Sequence, residues 1–159
     1  MAEQSGLTGA AAIVTGSAQN IGREIAISLS SAGAAVVINA RNSTDAAHAV
    51  ADEINSSGGK AIVHMADVTQ PDQVAGLIDA AVASFGRLDI LVNNYGIASS
   101  GRWLTSATDK WVDAYQHNAL SVVRLVQAFV PAMKAGGVGA RIVNLGTVGA
   151  VKPGAKMPH

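Results

Sequence analysis

The 159-residue sequence contains no cysteine and few charged residues. Without cysteine the chain can form neither a disulfide framework nor a reactive thiolate. Charged residues make up 14% of the chain and apolar residues 49%. This composition argues against disorder, and the length suffices for one domain with a sizeable core. So few charges also favour a surface that is partly covered by a partner chain.

The sequence also lacks an excess of either charge, a metal-ligand pair and a long apolar run. Eleven basic residues balance eleven acidic ones, which disfavours a nucleic-acid partner. Residues 1–8 do not resemble a signal peptide, and the apolar run at 34–38 is too short to span a bilayer. We therefore expect a soluble cytoplasmic protein without a membrane partner. The histidines are too far apart to predict a metal site: His48, His64, His117 and His159.

Short apolar runs alternate with segments of helical periodicity along the chain. Five runs predict strands, at residues 10–14, 35–38, 61–63, 88–92 and 141–145, and the first two are predicted to be buried. Strands that alternate with helices and are apolar throughout are typical of a parallel sheet covered on both faces. Right-handed crossovers then favour a three-layer α/β architecture with a Rossmann-type doubly wound sheet. Residues 152–159 predict a loop.

Four helices are predicted between these strands. The first runs from Ile21 to Gly33, and the second covers residues 45–57. The third contains Pro71 in its first turn and has Thr69 as its predicted cap. The last runs from about residue 108 to 134 and is apolar almost all round, more than one sheet face can cover. A second subunit, in a homodimer or homotetramer, is the predicted cover for its outer side.

A glycine-containing turn at residues 15–22 joins the first strand to the first helix. Such a turn lets backbone N–H groups and the helix N-terminus face a pyrophosphate. We expect Gly16 to permit the tight turn and Gly22 to let helix and strand pack closely. Asn20 stands where a second glycine is usual, and asparagine tolerates positive φ better than most residues. The alternative is an ordinary turn between strand and helix.

The motifs in their order resemble the classical short-chain dehydrogenase/reductase family. Its Thr-Gly-x-x-x-Gly-x-Gly matches residues 15–22, with Asn20 in place of one glycine. Its Asp-Val and Asn-Asn-Ala-Gly motifs match residues 67–68 and 93–96. Its helical asparagine matches Asn118, seven residues after Trp111. Its fifth strand, which usually ends in paired serines, matches residues 142–147.

The resemblance implies a role for each matching residue. Asp67 would accept a hydrogen bond from the adenine amino group, Asn118 would hold a water in a proton relay, and Thr147 would orient the substrate oxygen. Each has a structural alternative: a turn cap for Asp67, a helix-packing contact for Asn118 and a turn hydroxyl for Thr147. The predicted cofactor-binding residues are Gly16, Ser17, Gln19, Asn20, Ile21, Gly22, Arg41, Asp67, Val68, Asn94 and Gly96.

The end of the second strand bears on the choice of cofactor. An acid near this position binds the ribose 2′-OH of NAD, whereas an arginine suits the 2′-phosphate of NADP. Ala40 leaves the acid position empty, and Arg41 offers a planar cation. We therefore expect NADP(H), with NAD(H) as the alternative and a solvated surface role as the alternative for Arg41.

Three departures from the family pattern stand out. Tyr95 replaces a small residue beside the expected cofactor site, so packing there must differ. Thr147 replaces the catalytic serine but keeps its hydroxyl. The family's Tyr-x-x-x-Lys should begin about thirteen residues after Thr147, just past His159, and neither Tyr95 nor Tyr115 forms it. The chain thus lacks this acid–base motif and the last two strands of the family sheet.

Together these motifs predict one NAD(P)-binding Rossmann domain over residues 1–159 without its C-terminal part. The expected function is an oxidoreductase that transfers hydride between NADP(H) and a small-molecule carbonyl or alcohol substrate. The alternative is a non-catalytic nucleotide-binding fragment or shortened relative. Because its acid–base motif is missing, we expect the 159-residue chain to be inactive alone.

Overall fold

The computed structural model describes residues 6–136 and 139–147. For residues 134–136 it describes the backbone only. The loop predicted for residues 152–159 lies outside the described residues. The strands are β1 (Ala11–Val14), β2 (Ala35–Ala40), β3 (Lys60–Met65), β4 (Ile90–Asn93) and β5 (Arg141–Asn144). The helices are α1 (Asn20–Ser31), α2 (Thr44–Ser56), α3 (Pro71–Phe85), α4 (Thr108–Tyr115) and α5 (Ser121–Gly136), with a π-helical segment (Gln116–Leu120) between α4 and α5.

The five strands form one parallel sheet in the order β3-β2-β1-β4-β5. The chain builds outward from β1 to β3 on one side and then returns to place β4 against the other side of β1. This reversal makes a topological switch point between β1 and β4. The predicted parallel, doubly wound sheet is confirmed.

Apolar side chains bury both faces of the sheet. On one face α1 and α2 pack over a cluster that includes Ala26, Val50 and Ile54. On the other, α3 and α5 pack over a second cluster that includes Leu77 and Phe129. The continuous apolar runs of β1, β2 and β4 follow from this two-sided burial. β5, at one edge of the sheet, is largely exposed. Of the helices in residues 6–136, none is long and apolar enough to cross a bilayer.

The structure corrects several predicted boundaries. β4 begins at Ile90 rather than at residue 88, and β3 extends to Met65. The long helix predicted from about 108 to 134 is interrupted by the π-helical segment Gln116–Leu120. A π-turn inserts one residue into a helix without changing the apolar composition that predicts the helix. Periodicity therefore indicates the extent of this helix but not its interruption.

The predicted cap of α3 is wrong. The helix begins at Pro71, is preceded by Gln70 and has no side-chain cap hydrogen bond. The amide and the hydroxyl of Thr69 instead donate to Asp67 Oδ1, at 2.9 and 2.7 Å. Thr69 therefore closes the turn after β3, where its hydroxyl donates to a carboxylate instead of accepting from the first amides of α3.

Asp89, which is buried, joins the amino ends of three strands through its carboxylate and its backbone. Its Oδ2 accepts from the Ala11 amide at 2.8 Å, and both of its oxygens accept from the Arg87 guanidinium. The Asp89 backbone also bonds to Ala11 in β1 and to Arg141 in β5. The hydrogen bond from Arg87 lowers the pKa of Asp89, and the Ala11 amide adds to this against the effect of burial.

We predict that Asp89→Asn destabilises the fold by about 1–3 kcal/mol at neutral pH, because it leaves buried donors without their charged acceptor. A lowered pKa in the folded state means that ionised Asp89 stabilises the fold above its ordinary pKa of 3.8. This contribution is lost as the pH falls through the folded-state pKa, so the gap between variant and wild type should narrow in acid.

Urea unfolding at neutral and acidic pH measures this gap. The control is Asp79→Asn, which changes an exposed carboxylate on α3. A destabilisation by Asp89→Asn that is the same at every pH would contradict the electrostatic account.

Candidate functional site

The carboxyl ends of β1 and β4 form the crevice at the switch point of the sheet. Val14 of β1 pairs with Ile38 of β2 and with Val92 of β4. The segments that follow these strands therefore meet at the carboxyl end of the sheet, which is the sheet edge referred to below. In open α/β sheets such a crevice is the usual ligand site.

The turn after β1 has the backbone geometry that the sequence predicts. Gly16 has φ +62° and Asn20 has φ 51°, the only positive φ of a non-glycine residue in the described part of the chain. A Cβ built on Gly22 would overlap the Gly16 carbonyl oxygen and lie 2.5 Å from Asn94 Nδ2 and 2.9 Å from Ser17 Cα. Gly22 therefore packs closely, but against the turn and Asn94 rather than against the strand itself.

Asn94 holds this turn against the end of β4. Its Nδ2 donates to the carbonyl oxygens of Thr15 and Gly16, at 2.9 and 3.1 Å. In return the buried Thr15 hydroxyl oxygen accepts from the amides of Asn94 and Tyr95, at 3.1 and 3.0 Å. These four bonds cross between the two strands, so the turn and the loop after β4 form one structural unit.

Ser17 and Asn39 fasten the same turn to β2. The Ser17 amide donates to the Asn39 carbonyl at 2.8 Å, and the Ser17 hydroxyl donates to the Val14 carbonyl at 2.7 Å. The Asn39 side chain donates to the carbonyls of His64 and Ala66 beside β3. Both donors of Ser17 are thus used within the protein, where they set the shape of the turn.

The N-terminus of α1 opens onto this edge. Gln19 and Asn20 are exposed, and Ile21 is 65% exposed. No side chain caps the helix. The first N–H groups of a helix have no partner within the helix, so α1 presents donors and the positive end of its dipole beside the glycine turn.

Arg41 and Asp67 lie close together beyond β2 and β3. Arg41 Nη1 is 3.7 Å from Asp67 Oδ2, and the arginine side chain is about half exposed. Burial raises the pKa of Asp67, but the hydrogen bonds from Thr69 and the charge of Arg41 outweigh it, so that the net shift is downward. Val68, next in the chain, is buried in the core. Arg41 therefore has an ion-pair partner and still reaches solvent.

The loop after β4 contacts the π-helical segment through Asn118. Asn118 Oδ1 accepts from the Ile97 amide at 2.8 Å, and its Nδ2 donates to the Ile97 carbonyl at 2.9 Å. A Cβ on Gly96 would lie 3.0 Å from Asn118 Oδ1, so the approach is tight. Asn118 thus satisfies both its donor and its acceptor on one backbone unit, and the polar residue in this apolar helix has the partner that it needs.

Tyr95 extends from the same loop to a histidine in the π-helical segment. Its hydroxyl lies 2.5 Å from His117 Nδ1, and His117 Nε2 lies 3.3 Å from Asp113 Oδ1. Burial raises the pKa of Tyr95, and Asp67 and Asp113 add to this effect, whereas Arg41 opposes it. The departure from the family pattern at Tyr95 therefore places a neutral phenol between the loop and the helix.

Thr147 lies beyond the end of β5 at this edge of the sheet, and it is exposed. The Leu145 amide donates to the Asn93 carbonyl at 3.0 Å, which holds the segment before Thr147 beside β4. Within the described residues, no group of three or more histidine or carboxylate side chains could hold a metal ion.

Sequence reasoning missed Asn39 and His117. Asn39 is a polar residue in an otherwise apolar strand and is 2% exposed; a buried amide needs partners, and this signal could have identified it. His117 adjoins Asn118, but nothing in the sequence indicates that it meets Tyr95, 22 residues earlier. The contact depends on tertiary structure alone.

Known proteins that are similar in sequence to this chain include dehydrogenases and other oxidoreductases. The family model for short chain dehydrogenases matches residues 10–159. An uncharacterized oxidoreductase of Methylorubrum extorquens is 42% identical over 144 residues, which cover 91% of this chain and 57% of the relative. The 7alpha-hydroxysteroid dehydrogenase of Escherichia coli is 39% identical over 133 residues, covering 84% of this chain and 51% of that enzyme.

Solved structures agree in fold. A dehydrogenase/reductase from Sinorhizobium meliloti superposes with a TM-score of 0.90 at 29% identity, covering 97% of this chain and 60% of the other. A 7 alpha-hydroxysteroid dehydrogenase complexed with NADH and 7-oxo glycochenodeoxycholic acid gives 0.89 at 35% identity, covering 96% and 59%. The chain spans about half the length of the curated relatives that it matches. With its glycine turn, its Asn94 bridge and a family match over nearly its whole length, the chain belongs to the short-chain dehydrogenase family.

Proposed function

We propose that this chain is the NAD(P)-binding domain, residues 1–159, of an oxidoreductase that transfers hydride between NADP(H) and a small-molecule carbonyl or alcohol substrate. The observation that supports this best is the crevice between β1 and β4, where the glycine turn approaches Gly22 so closely that no Cβ would fit there. Family membership makes oxidoreductase chemistry the natural expectation. The substrate and the partners of the whole protein are part of the proposal.

The residues at this crevice fit a dinucleotide. The uncapped start of α1 offers backbone N–H donors to a pyrophosphate, and the positive φ of Gly16 and Asn20 shapes the turn around it. Ile21 presents apolar surface beside these donors. Asn94 and Gly96 would line the other wall, and Asp67 would accept from the adenine amino group. Bound NADP(H) supplies or accepts the hydride.

Arg41 favours the phosphorylated cofactor. It follows Ala40, so no acid stands at the end of β2 to bind a ribose 2′-OH. Its guanidinium is about half exposed and has one carboxylate nearby at 3.7 Å. A guanidinium binds phosphate through paired, charge-assisted hydrogen bonds. We therefore propose NADP(H) in preference to NAD(H).

Asn118 and Thr147 are the proposed catalytic residues within the chain. Asn118, fixed by its two bonds to Ile97, would hold a water in the proton relay, and the Thr147 hydroxyl would orient the substrate oxygen. The sequence contains no Tyr-x-x-x-Lys. General acid–base catalysis contributes about 10²- to 10⁴-fold in rate, so we propose that these 159 residues do not catalyse the reaction alone.

We predict that the natural protein containing this chain binds NADPH more tightly than NADH and reduces members of a panel of ketones and aldehydes. Arg41→Ala should weaken NADPH binding by about tenfold or more, from the loss of charge-assisted bonds, and leave NADH binding nearly unchanged. The measurements are cofactor titrations and NADPH consumption, with the isolated 159 residues as a further sample.

The control is Arg141→Ala, which removes an arginine at the opposite edge of the sheet. Tighter binding of NADH, or an Arg41→Ala variant with wild-type NADPH affinity, would contradict the choice of cofactor. Binding without turnover in the natural protein would favour the alternative, a non-catalytic nucleotide-binding protein. Turnover by the isolated 159 residues would refute their proposed inactivity.

We also propose that the outer surface of α4 and α5 packs against a second copy of the chain, in a homodimer or homotetramer. Three large apolar side chains remain exposed there, at 55%, 58% and 45%: Val112, Tyr115 and Val123. Large apolar side chains exposed on one pair of helices support an interface there, and the low charge of the chain accords with one.

We predict that Val112→Asp with Val123→Asp shifts the natural protein toward monomer, because association would bury unpaired charges. Light scattering at micromolar concentration measures the change. Val82→Asp, at an exposed valine on α3, should leave the assembly intact. A monomeric wild type, or a double variant that still assembles normally, would be incompatible with this interface.

A further inference from the structure

Tyr95, His117 and Asp113 form a continuous chain of polar contacts that the family resemblance does not predict. Tyr95 Oη is 2.5 Å from His117 Nδ1, and His117 Nε2 is 3.3 Å from Asp113 Oδ1. The side chain of His117 is 16% exposed, whereas that of Asp113 is 63% exposed. The contacts thus run from the sheet edge, through a mostly buried imidazole, to a carboxylate at the surface.

The chemistry of the three groups favours one direction for the hydrogen bond between Tyr95 and His117. Ionised Asp113 can only accept, so its carboxylate, 3.3 Å from His117 Nε2, favours the tautomer that carries the proton on that nitrogen. In the neutral ring Nδ1 is then an acceptor, and the Tyr95 hydroxyl donates to it. Because burial raises the pKa of Tyr95, the phenol keeps the proton that this bond requires.

Tyr95 is fixed at its other end to the glycine turn. Its amide donates to the Thr15 hydroxyl oxygen at 3.0 Å. Its Cα would lie 3.5 Å from a Cβ built on Gly16, and its ring packs against the core between the sheet and α3. The backbone position of Tyr95 is therefore set by the crevice, and its hydroxyl extends this constraint to the helix.

His117 transmits the constraint to Asn118, its neighbour in the π-helical segment. The Ser121 hydroxyl, at the start of α5, donates to the His117 carbonyl in the π-helical segment at 2.5 Å. Asn118 then bonds to Ile97, two residues beyond Tyr95. Loop and helix are thus joined at two successive helix positions, His117 by its side chain and Asn118 by its own.

We propose that Tyr95 and His117 are positioning residues for hydride transfer. They hold the π-helical segment against the loop after β4, in the position in which Asn118 serves the proton relay. This inference rests on the proposed function, because it gives Asn118 a role in catalysis. Asp113 selects the tautomer of His117, and the Tyr95 hydroxyl bonds to the nitrogen that this tautomer leaves free. The pair acts through Asn118 and touches neither substrate nor hydride.

Two substitutions at His117 separate its two contacts. An asparagine carries a polar atom about where Nδ1 lies, and a glutamine carries one about where Nε2 lies. We expect His117→Asn to accept from Tyr95 and keep most of the activity. His117→Gln and Tyr95→Phe should each lower kcat by about five- to tenfold, as expected from one lost hydrogen bond, with the KM for cofactor changed by less than about twofold.

The experiment uses the natural protein with NADPH and a ketone that it reduces. The matched controls are His48→Asn and His48→Gln, at an exposed histidine of α2. Combining Tyr95→Phe with His117→Gln should add little to either change, because both remove one bond. Lower melting temperatures with unchanged kcat would overturn the proposal, as would equal kcat in His117→Asn and His117→Gln. If Tyr95→Phe does not fold, the two His117 variants decide.

A second measurement does not depend on activity. The ¹⁵N chemical shifts of His117 in the wild-type protein, at mildly alkaline pH, report which ring nitrogen carries the proton. We expect the Nε2–H tautomer, and Tyr95→Phe should shift the Nδ1 signal whereas His48→Asn should not. An Nδ1–H tautomer would overturn the proposed chain. If the wild type shows the expected Nε2–H tautomer but transfers no hydride, the proposed function fails and the positioning role fails with it.

Discussion

The approach of the glycine turn to the loop after β4 is the constraint on which the crevice depends. Asn94 donates from one amide nitrogen to two carbonyl oxygens of the turn, and Thr15 accepts from two amides of the loop. These contacts require Gly22 to have no side chain, since a Cβ there would overlap the Gly16 carbonyl. The start of α1, with its uncapped N–H groups, is set by the same approach.

Hydrogen bonds extend from this point in two directions. Toward β2 and β3, Ser17 bonds to Asn39, and Asn39 bonds to Ala66, close to the segment where Asp67 meets Arg41. Toward the helices, Tyr95 bonds to His117, and Ile97 bonds to Asn118. One hydrogen-bonded framework at the edge of the sheet therefore joins the residues proposed for the cofactor to one proposed for the proton relay.

Much of this architecture follows from the sequence because its causes are local. Apolar runs predict buried strands, and the turn at residues 15–22 predicts positive φ at Gly16 and Asn20, which the structure has. The π-helical segment, the partner of Tyr95 and the turn contact of Thr69 are not predictable in this way. Each depends on residues that meet only in the folded chain or on one inserted residue that leaves the apolar pattern intact. Asn39 is intermediate, since its burial is predictable but its partners are not.

We propose that the close contact of Gly22 with the glycine turn, which leaves no room for a side chain, is essential for binding a dinucleotide. The most direct test is NADPH titration of the natural protein with Gly22→Ala and with Gly76→Ala. Both glycines lie in helices, but a Cβ on Gly76 meets only the His64 ring, at 3.6 Å or more. We predict that Gly76→Ala binds like the wild type, whereas Gly22→Ala loses about tenfold or more in affinity, roughly 1.4 kcal/mol. Equal affinity in the two variants would contradict the account.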